Sequence, residues 1–391
     1  MSIKDLDLKD KTVFLRVDFN VPLAPGGKEI TSDKRIRASL PTIQYALEHG
    51  AAVVLASHLG RPKGKPHPEM SLAPVAARLQ ELLGRPVPVA PDCIGAETQA
   101  MRPKPGEVLL LENLRFHPEE EANEPEFSRQ LAGLADIYVN DAFGSAHRAH
   151  ASTVGIVSYL PLAAAGLLMD KELEWLTKAS KNPEHPCIAL LGGAKVSDKI
   201  EIIQNLLKVV GRLLIGGAMA YTFMRARNES TGKSLVEEDK IDLARQLLAA
   251  AGGKLVLPAD HVVVREVKPG AESELVTTIG PDQIGVDIGP NTVEQYAHIL
   301  SDARTIIWNG PMGIFEMPPF DTGTVALAKA VADSGAVSVV GGGDSEKAIK
   351  SAGVADKITH VSTGGGASLE FLAGAELPGV AALTEKSEAA A

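Results

Sequence analysis

Aromatic side chains are scarce in this 391-residue chain: two Trp, five Tyr and nine Phe, 4% of positions. Its cores must therefore be packed by aliphatic residues, while 37 Gly and 25 Pro supply tight turns, a combination that points to α/β architecture. Cysteine is nearly absent. Cys93 and Cys187 lie too far apart for a CxxC metal or redox motif and are too few for a disulfide framework, which fits a reducing cytosol. Long apolar runs are also missing. Met1–Asp7 has no apolar core for a secretory signal, and the longest bland stretch, Leu160 to Met169, stops at Asp170-Lys171-Glu172, too short to cross a bilayer. A soluble cytoplasmic protein with no membrane partner is the expectation. The chain lacks an excess of positive charge as well: its net charge of −10 argues against nucleic acid or anionic lipid as a partner.

The chain does have ordinary globular content, 45% hydrophobic and 23% charged, which excludes disorder. At roughly 150 residues per domain its length predicts two domains. The charge is uneven. Residues 1–150 hold 18 Lys and Arg against 20 Asp and Glu, a net of −2, which leaves −8 for the remainder, and six of the ten histidines lie in this first part. An anionic ligand needing Arg and His finds them there, although a solvated surface is the blander explanation.

Short aliphatic runs bounded by turn residues recur, each followed by a longer amphipathic stretch, as in strands alternating with helices in a parallel sheet. They are Val13–Val21, Ala51–Ser57, Val87–Ala90, Val108–Leu111, Ile137–Val139, Ile188–Leu191, Leu213–Ile215, Leu255–Leu257, Thr305–Trp308, Val337–Val340 and His360–Val361. Apolar spacing predicts helices over Ser71–Leu83 and Lys199–Val210. Gly166–Lys178 reads as a helix joining the two parts, with Pro183 beyond it as a stop, and the alanine-rich tail Glu385–Ala391 reads as frayed. The expected fold is α/β: two doubly wound, Rossmann-like parallel-sheet lobes joined by an interdomain helix.

Open parallel sheets bind ligands at the carboxyl ends of their strands. The early runs are followed there by Asp18 and Asn20, by Ser57-His58-Leu59-Gly60-Arg61-Pro62, by Glu112–His117 with Arg115, and by Asn140-Asp141 with His147-Arg148-Ala149-His150 beyond. A single loop arginine is usually a surface ion pair, but guanidinium forks gathered at several strand ends suit phosphate and carboxylate oxygens. Arg35, at a predicted helix start, can aim at the same anion, and spacing alone does not separate it from Arg37. The late runs end instead in small residues: Gly192-Gly193, Gly216-Gly217, Asn309-Gly310-Pro311, Gly341-Gly342-Gly343-Asp344-Ser345 and Ser362-Thr363-Gly364-Gly365-Gly366. Glycine lets backbone N–H groups approach a phosphate, and a following helix adds its positive end. Any one such loop can be a plain turn, but the set suggests a nucleotide.

The usual nucleotide fingerprints are absent. Gly232-Lys233-Ser234 resembles the end of a Walker A motif, but Arg227 stands where its first glycine belongs, and no GxGxxG opens a helix. No His or Cys cluster has metal-ligand spacing, and the pair His147 and His150 lacks further partners. Lys195 and Lys199, four apart, are expected on one helix face, either pointing to solvent or with an anion between them. Asp344 is either a helix N-cap or a ligand for Mg²⁺ on nucleotide phosphates. Glu316, after Gly313-Ile314-Phe315, is a candidate for a ribose hydroxyl.

The segments Arg16–Pro22, Ser57–Pro62, Leu111–His117, Tyr138–Gly144, Ala146–His150, Leu191–Lys199, Trp308–Glu316, Gly341–Ser345 and His360–Ser368 resemble those of phosphoglycerate kinases, in the family's order and over nearly the whole chain. The resemblance implies Mg²⁺-dependent phosphoryl transfer between ATP and the carboxylate of 3-phosphoglycerate, giving ADP and 1,3-bisphosphoglycerate, a step that glycolysis runs towards ATP. It implies a phosphoglycerate domain over residues 1–168 plus 378–391, and a nucleotide domain over 169–377 that begins with the interdomain helix. Asp18, Phe19, Asn20, Arg35, His58, Leu59, Gly60, Arg61, Arg115, Arg148 and His150 would then surround phosphoglycerate. Gly192, Gly193, Lys199, Gly216, Gly217, Gly285, Asn309, Glu316, Gly341, Gly342, Gly343, Asp344 and Ser345 would hold the nucleotide, with Asp344 on the metal. Arg35, Lys195, Lys199 and the N–H groups of Gly365 and Gly366 become the catalytic candidates. The resemblance also favours a monomer whose lobes close over both substrates.

A carboxylate nucleophile is ionised at neutral pH and needs no general base, so positioning and charge neutralisation carry such a reaction. Two alternatives share the architecture: a nucleotide-dependent dehydrogenase, which the missing fingerprint opposes, and a non-catalytic solute-binding protein.

Overall fold

Strand β1, Thr12–Arg16, is buried at all five positions. Val13 and Leu15 pack on one side with Ile36, Ile43, Val75 and Leu79. Phe14 packs on the other with Phe127, Leu131 and Tyr138. A strand buried on both faces must lie inside a sheet covered by helices on each side. In this computed structural model, which describes residues 1–384, that sheet has five parallel strands: β1, β2 (Ala52–Ala56), β3 (Val108–Leu110), β4 (Ile137–Asn140) and β5 (Ala163–Ala165), in the order β3-β2-β1-β4-β5. The tail Glu385–Ala391, expected to fray, lies outside the described residues.

The order reverses direction between β1 and β4, so the crevice of a doubly wound sheet opens at their carboxyl ends, beside Arg16 and Asn140. Two expectations fail here. Val87–Ala90 makes only an isolated parallel bridge, Val89 to Leu110, because Pro86 and Pro88 have no N–H to give a ladder. Ala163–Ala165, three small residues with no β-branching, is nevertheless the edge strand, paired with Tyr138–Asn140.

Residue contacts divide the chain into two units, Met1–Leu173 with the chain from Glu376, and Glu174–Ala375. Helix Leu167–Ser180 carries the chain from the first to the second, and the Asp141 carboxylate accepts from the N–H groups of Leu168 and Met169 at its start (2.9 and 3.2 Å). In the first unit Gly379 donates to the carbonyl of Ala146 at 2.8 Å, and Met1 donates its amino group to the carbonyl of Thr384 at 2.9 Å.

The second unit holds six parallel strands: β6 (Cys187–Leu191), β7 (Arg212–Ile215), β8 (Leu255–Val256), β12 (Thr305–Asn309), β13 (Val337–Gly341) and β14 (His360–Val361). Between β8 and β12 the chain makes an antiparallel sheet of β9 (His261–Val264), β10 (Glu274–Val276) and β11 (Ile284–Ile288), in the order β10-β9-β11, which the sequence reading lacks. The six-stranded order β14-β13-β12-β6-β7-β8 reverses between β6 and β12, which places the switch point at Gly192 and Gly310. Trp308, fully buried, anchors the core beneath it with Tyr296, Leu300, Leu327 and Val331.

Candidate active site

In the first unit the residues after β1, β2 and β3 converge. Asp18 accepts from a single Nη of Arg35 at 2.7 and 2.8 Å, and Arg35 opens helix Lys34–Glu48 as expected. Asn20 accepts from Gly60 N–H at 2.9 Å, and Arg115 donates to the Gly60 carbonyl at 3.0 Å, so three loops are tied into one floor. Asn113 completes it: its amide accepts from Leu59 N–H and donates to the carbonyls of Leu59 and Met70. Phe19 and Leu59 point into the hydrophobic core, so of these two only the backbone is available to a ligand. Arg148 is half-buried and Arg61 is exposed.

The electrostatics of this cluster are set by crowding of positive charge. Burial, with Arg16, Arg115 and Arg35 nearby, pushes His58 well below the usual imidazole range despite Asp18. Burial, with Arg115, Arg16 and Arg148, lowers His150 to about 4. Both rings are neutral at pH 7. Burial alone would raise the Asp18 carboxyl, but the guanidiniums of Arg35 and Arg16 and the N–H of Asn20 leave it below its ordinary value. Arg16 belongs to this cluster, although the sequence reading did not single it out. Its signal was legible: an arginine ending an apolar strand has to find partners when buried.

The fold also makes a cluster that spacing did not show. Donor atoms of Asp92, Cys93 and His117 lie within 4.8 Å of one another. They are engaged among themselves and with the backbone: His117 Nε2 lies 2.6 Å from Asp92 Oδ1, and the Cys93 thiol donates to the Glu112 carbonyl at 3.0 Å. Burial, reinforced by Asp92, Glu120 and Glu112, raises that thiol well above its ordinary value. The group braces the segment that carries Arg115.

In the second unit a cavity of about 410 Å³ opens at the carboxyl ends of the strands. Gly193, Gly217, Gly285, Glu316 and Asp344, five of the residues expected around a nucleotide, line it. Tyr221, Leu235, Val267 and Met312 supply apolar wall, the character a purine base requires. A smaller recess of about 210 Å³, beside Arg265, Glu266 and Lys268 on the antiparallel sheet, has none of the glycine loops.

Gly192, Lys199, Asn309 and Ser345 are not among the lining residues of the larger cavity. A Cβ on Gly192 would meet the Pro311 carbonyl at 1.9 Å, and one on Gly217 the Gly193 backbone at 2.5 Å, so these glycines also let the strand-end loops press together. Gly343, by contrast, faces open space. Lys199 donates to Asn309, whose amide donates to the Gly341 carbonyl at 2.8 Å, and Ser345 accepts from Gly310 N–H at 2.7 Å. Burial lowers the Lys199 ammonium, with Asp198 and Asp344 opposing.

Two local expectations are corrected. Lys195 and Lys199 do not share a helix face: the helix is Ile200–Leu206, Lys199 is its N-cap, and Lys195 lies exposed in the loop before it. Ser197, whose N–H and hydroxyl both donate to Glu237 at 3.1 and 2.5 Å, holds that loop out of helical form. Asp344 is not an N-cap. Gly342 takes that position, and Asp344, second in helix Gly343–Ser351, pairs with Lys347 at 3.2 Å. Gly365 caps helix Gly366–Leu372.

Two doubly wound α/β units, one with clustered guanidinium groups and the other with a glycine-lined cavity and a carboxylate at its edge, define a phosphotransferase that works on anions. The family model for phosphoglycerate kinase matches residues 3–375. A phosphoglycerate kinase of Solibacter usitatus is 71% identical over 386 residues, 98% of this chain and 99% of that protein. One of Koribacter versatilis is 58% identical over 401 aligned residues, 99% of each. Among solved structures, phosphoglycerate kinase from Coxiella burnetii superposes with a TM-score of 0.91 at 43% identity, and that from Pyrococcus horikoshii with 0.85 at 38%, each covering 98% of both chains. The chain belongs to the phosphoglycerate kinase family. Its reaction is the Mg²⁺-dependent transfer of a phosphoryl group between ATP and the carboxylate of 3-phosphoglycerate, a glycolytic step, and the dehydrogenase and solute-binding alternatives fall away.

Proposed function

We propose that the first unit binds phosphoglycerate through Asp18, Asn20, Arg35, His58, Arg61, Arg115, Arg148 and His150, and that the second binds the nucleotide in the glycine-lined cavity. The observation that carries this division is chemical: guanidinium groups crowd one site, while Gly193, Gly217, Gly285 and Glu316 line the other. Guanidinium forks suit the fixed phosphate and carboxylate of a small acid. Glycine amides and an apolar wall suit a nucleotide, with Glu316 for its ribose and Gly285 beside its base.

The substrate carboxylate attacks phosphorus already ionised, a new P–O bond forms as the bond to ADP breaks, and no proton has to move. The chain's task is to orient the acceptor and to neutralise charge. Arg35, Lys195, Lys199 and the N–H groups of Gly365 and Gly366 perform the second part. Asp344 fits Mg²⁺: it is a half-exposed hard oxygen donor on the cavity wall, and without a cation it would repel phosphate from the helix end it occupies. When bound, the ion screens the negative charge of the phosphates.

The reading includes a monomer in the cytoplasm with small phosphorylated ligands, and neither nucleic acid nor membrane as partner. The net charge of −10 and two buried free cysteines support it, and no helix among the described residues is long and apolar enough to cross a membrane. Replacing Arg115 or Arg148 with Ala should weaken phosphoglycerate binding and leave ADP binding nearly intact in calorimetry. Lost ADP affinity with retained phosphoglycerate binding would overturn the division.

A further inference from the structure

Beneath the basic cluster lies a chain of buried polar groups whose donor directions are all fixed. Arg16 is fully buried at the end of β1. Its Nε donates to Ser152 Oγ at 2.8 Å, one Nη donates to the Val17 carbonyl, and the other lies 3.2 Å from Nδ1 of His58. The Ser152 hydroxyl, having accepted from Arg16, donates to Glu120 Oε1 at 2.5 Å, while Ser152 N–H donates to Oε2 at 2.9 Å. Tyr138 fixes Ser152 from the other side by donating to its carbonyl at 2.8 Å. Glu120 has no exposed surface.

A guanidinium has only donors and does not deprotonate in proteins. An Nη facing Nδ1 therefore requires a lone pair there, and the ring proton must sit on Nε2. We propose that Glu120 and Ser152 are positioning residues which, through Arg16, hold His58 as the neutral Nε2–H tautomer, so that His58 meets phosphoglycerate as a hydrogen-bond donor and not as a cation. The part concerning phosphoglycerate rests on the site assignment above; the relay itself does not. The surroundings agree. Arg16 from β1, Arg35 from helix Lys34–Glu48 and Arg115 from the segment after β3 all face His58 and disfavour its cation, and Asp18 alone favours it.

The relay separates two designs for this site. If His58 were an imidazolium, phosphoglycerate would lose a positive partner as pH rises through about 6.5, the ordinary imidazole value. With a fixed neutral donor, only the substrate's own phosphate, whose second pKa is about 6, changes charge there. Keeping a buried Arg–Ser–Glu chain is costly compared with an apolar core, which is why a purely structural role explains it poorly.

The test is long-range ¹H–¹⁵N correlation of histidine-labelled free enzyme, with His58 assigned by loss of its signals in His58→Gln. We expect protonated Nε2 and unprotonated Nδ1 from pH 8 down to pH 5.5, and a pH profile of the phosphoglycerate KM that runs parallel to that of His58→Gln, in which only the substrate phosphate (pKa about 6) titrates. Ser152→Ala, and Glu120→Gln as the shape-conserving second variant, should mix the tautomers. They should also introduce an inflection moving towards pH 6.5 and raise that KM several-fold, with nucleotide KM unchanged. A protonated Nδ1 or an imidazolium at pH 6.5 in the unmodified enzyme would overturn the relay, as would folded variants with the original tautomer and a KM profile that still parallels that of His58→Gln. A confirmed tautomer with phosphoglycerate KM unaltered in His58→Gln would leave the relay standing and overturn the site assignment.

Discussion

Asp18 and Arg35 form a half-buried ion pair in which one guanidinium nitrogen serves both carboxylate oxygens, at 2.7 and 2.8 Å. In the phosphoglycerate site proposed above, the pair places a negative charge where an anion is to bind, and Arg35 offsets it. Arg35→Ala should therefore do more than remove a cation. It should raise KM for phosphoglycerate by roughly 30-fold or more while leaving nucleotide KM within about twofold. Asp18→Asn added to it should recover part of the loss; a double variant no better than the single would mean that the two residues act independently. The Asp18 carboxyl lies below its ordinary value, so its contribution to stability is full above about pH 4 and is lost only as pH falls through the lowered value.

Lys195 is exposed in the loop before Ile200, and the proposed role has it meet the transferring group. Lys195→Ala should lower kcat by about 10²–10³ with little change in nucleotide affinity, as loss of one donor to developing charge does. Steady-state kinetics with both substrates varied would decide, and near-normal turnover would remove Lys195 from the catalytic set.

Gly285 borders the cavity proposed for the nucleotide, and a Cβ there would come within 2.0 Å of the Tyr221 hydroxyl. Tyr221 is buried and has little room to yield. Gly285→Ala should raise nucleotide KM about tenfold by forcing the ring into the cavity. Phosphoglycerate KM should stay as it was, and an equal rise in both would point to general destabilisation instead.

His261 offers a pH-dependent stability test. It is buried against Tyr221, neither ring nitrogen has a hydrogen-bond partner among the described residues, and burial lowers it to about 4. The unfolded chain takes up its proton near pH 6.5, so stability falls as pH drops from 6.5 towards 4. His261→Leu should remove that slope, gaining about 2 kcal/mol relative to the parent at pH 5 beyond any difference at pH 7.5. Urea unfolding at the two pH values measures it, and a pH-independent difference would contradict the assignment.

How far the sequence could be read follows from which signals are local. Most strands of the two parallel sheets announced themselves as apolar runs because both of their faces are buried. Ala163–Ala165 did not, since three alanines have no strand preference and only pairing with β4 makes them one. In the antiparallel sheet β10 is only three residues and mostly exposed, and β11, Ile284-Gly285-Val286-Asp287-Ile288, is broken up by a glycine and an aspartate, so neither leaves an apolar run. Among the proposed site residues, Asp18 and Arg115 were legible from their place after strands, whereas Arg35, at a helix start, was not separable from Arg37 by spacing and came only with the family resemblance. What holds them was not legible: Glu120 meets Ser152 across 32 positions, and Lys199 meets Asn309 across 110. No local spacing encodes a partner that distant.

The ties between Met1 and Thr384, and between Ala163 N–H and the Thr384 hydroxyl at 3.0 Å, bear on the order in which the protein is made. The edge strand β5 also receives the Met1 carbonyl, through Ala165 N–H at 3.0 Å. Residues from Glu376 onward leave the ribosome after all of Glu174–Ala375 has been synthesised. The nascent chain thus has every residue of its second unit before the first has its closing segment. The unit that begins the polypeptide is the last to be completed, and its edge strand waits for residues made more than two hundred positions later.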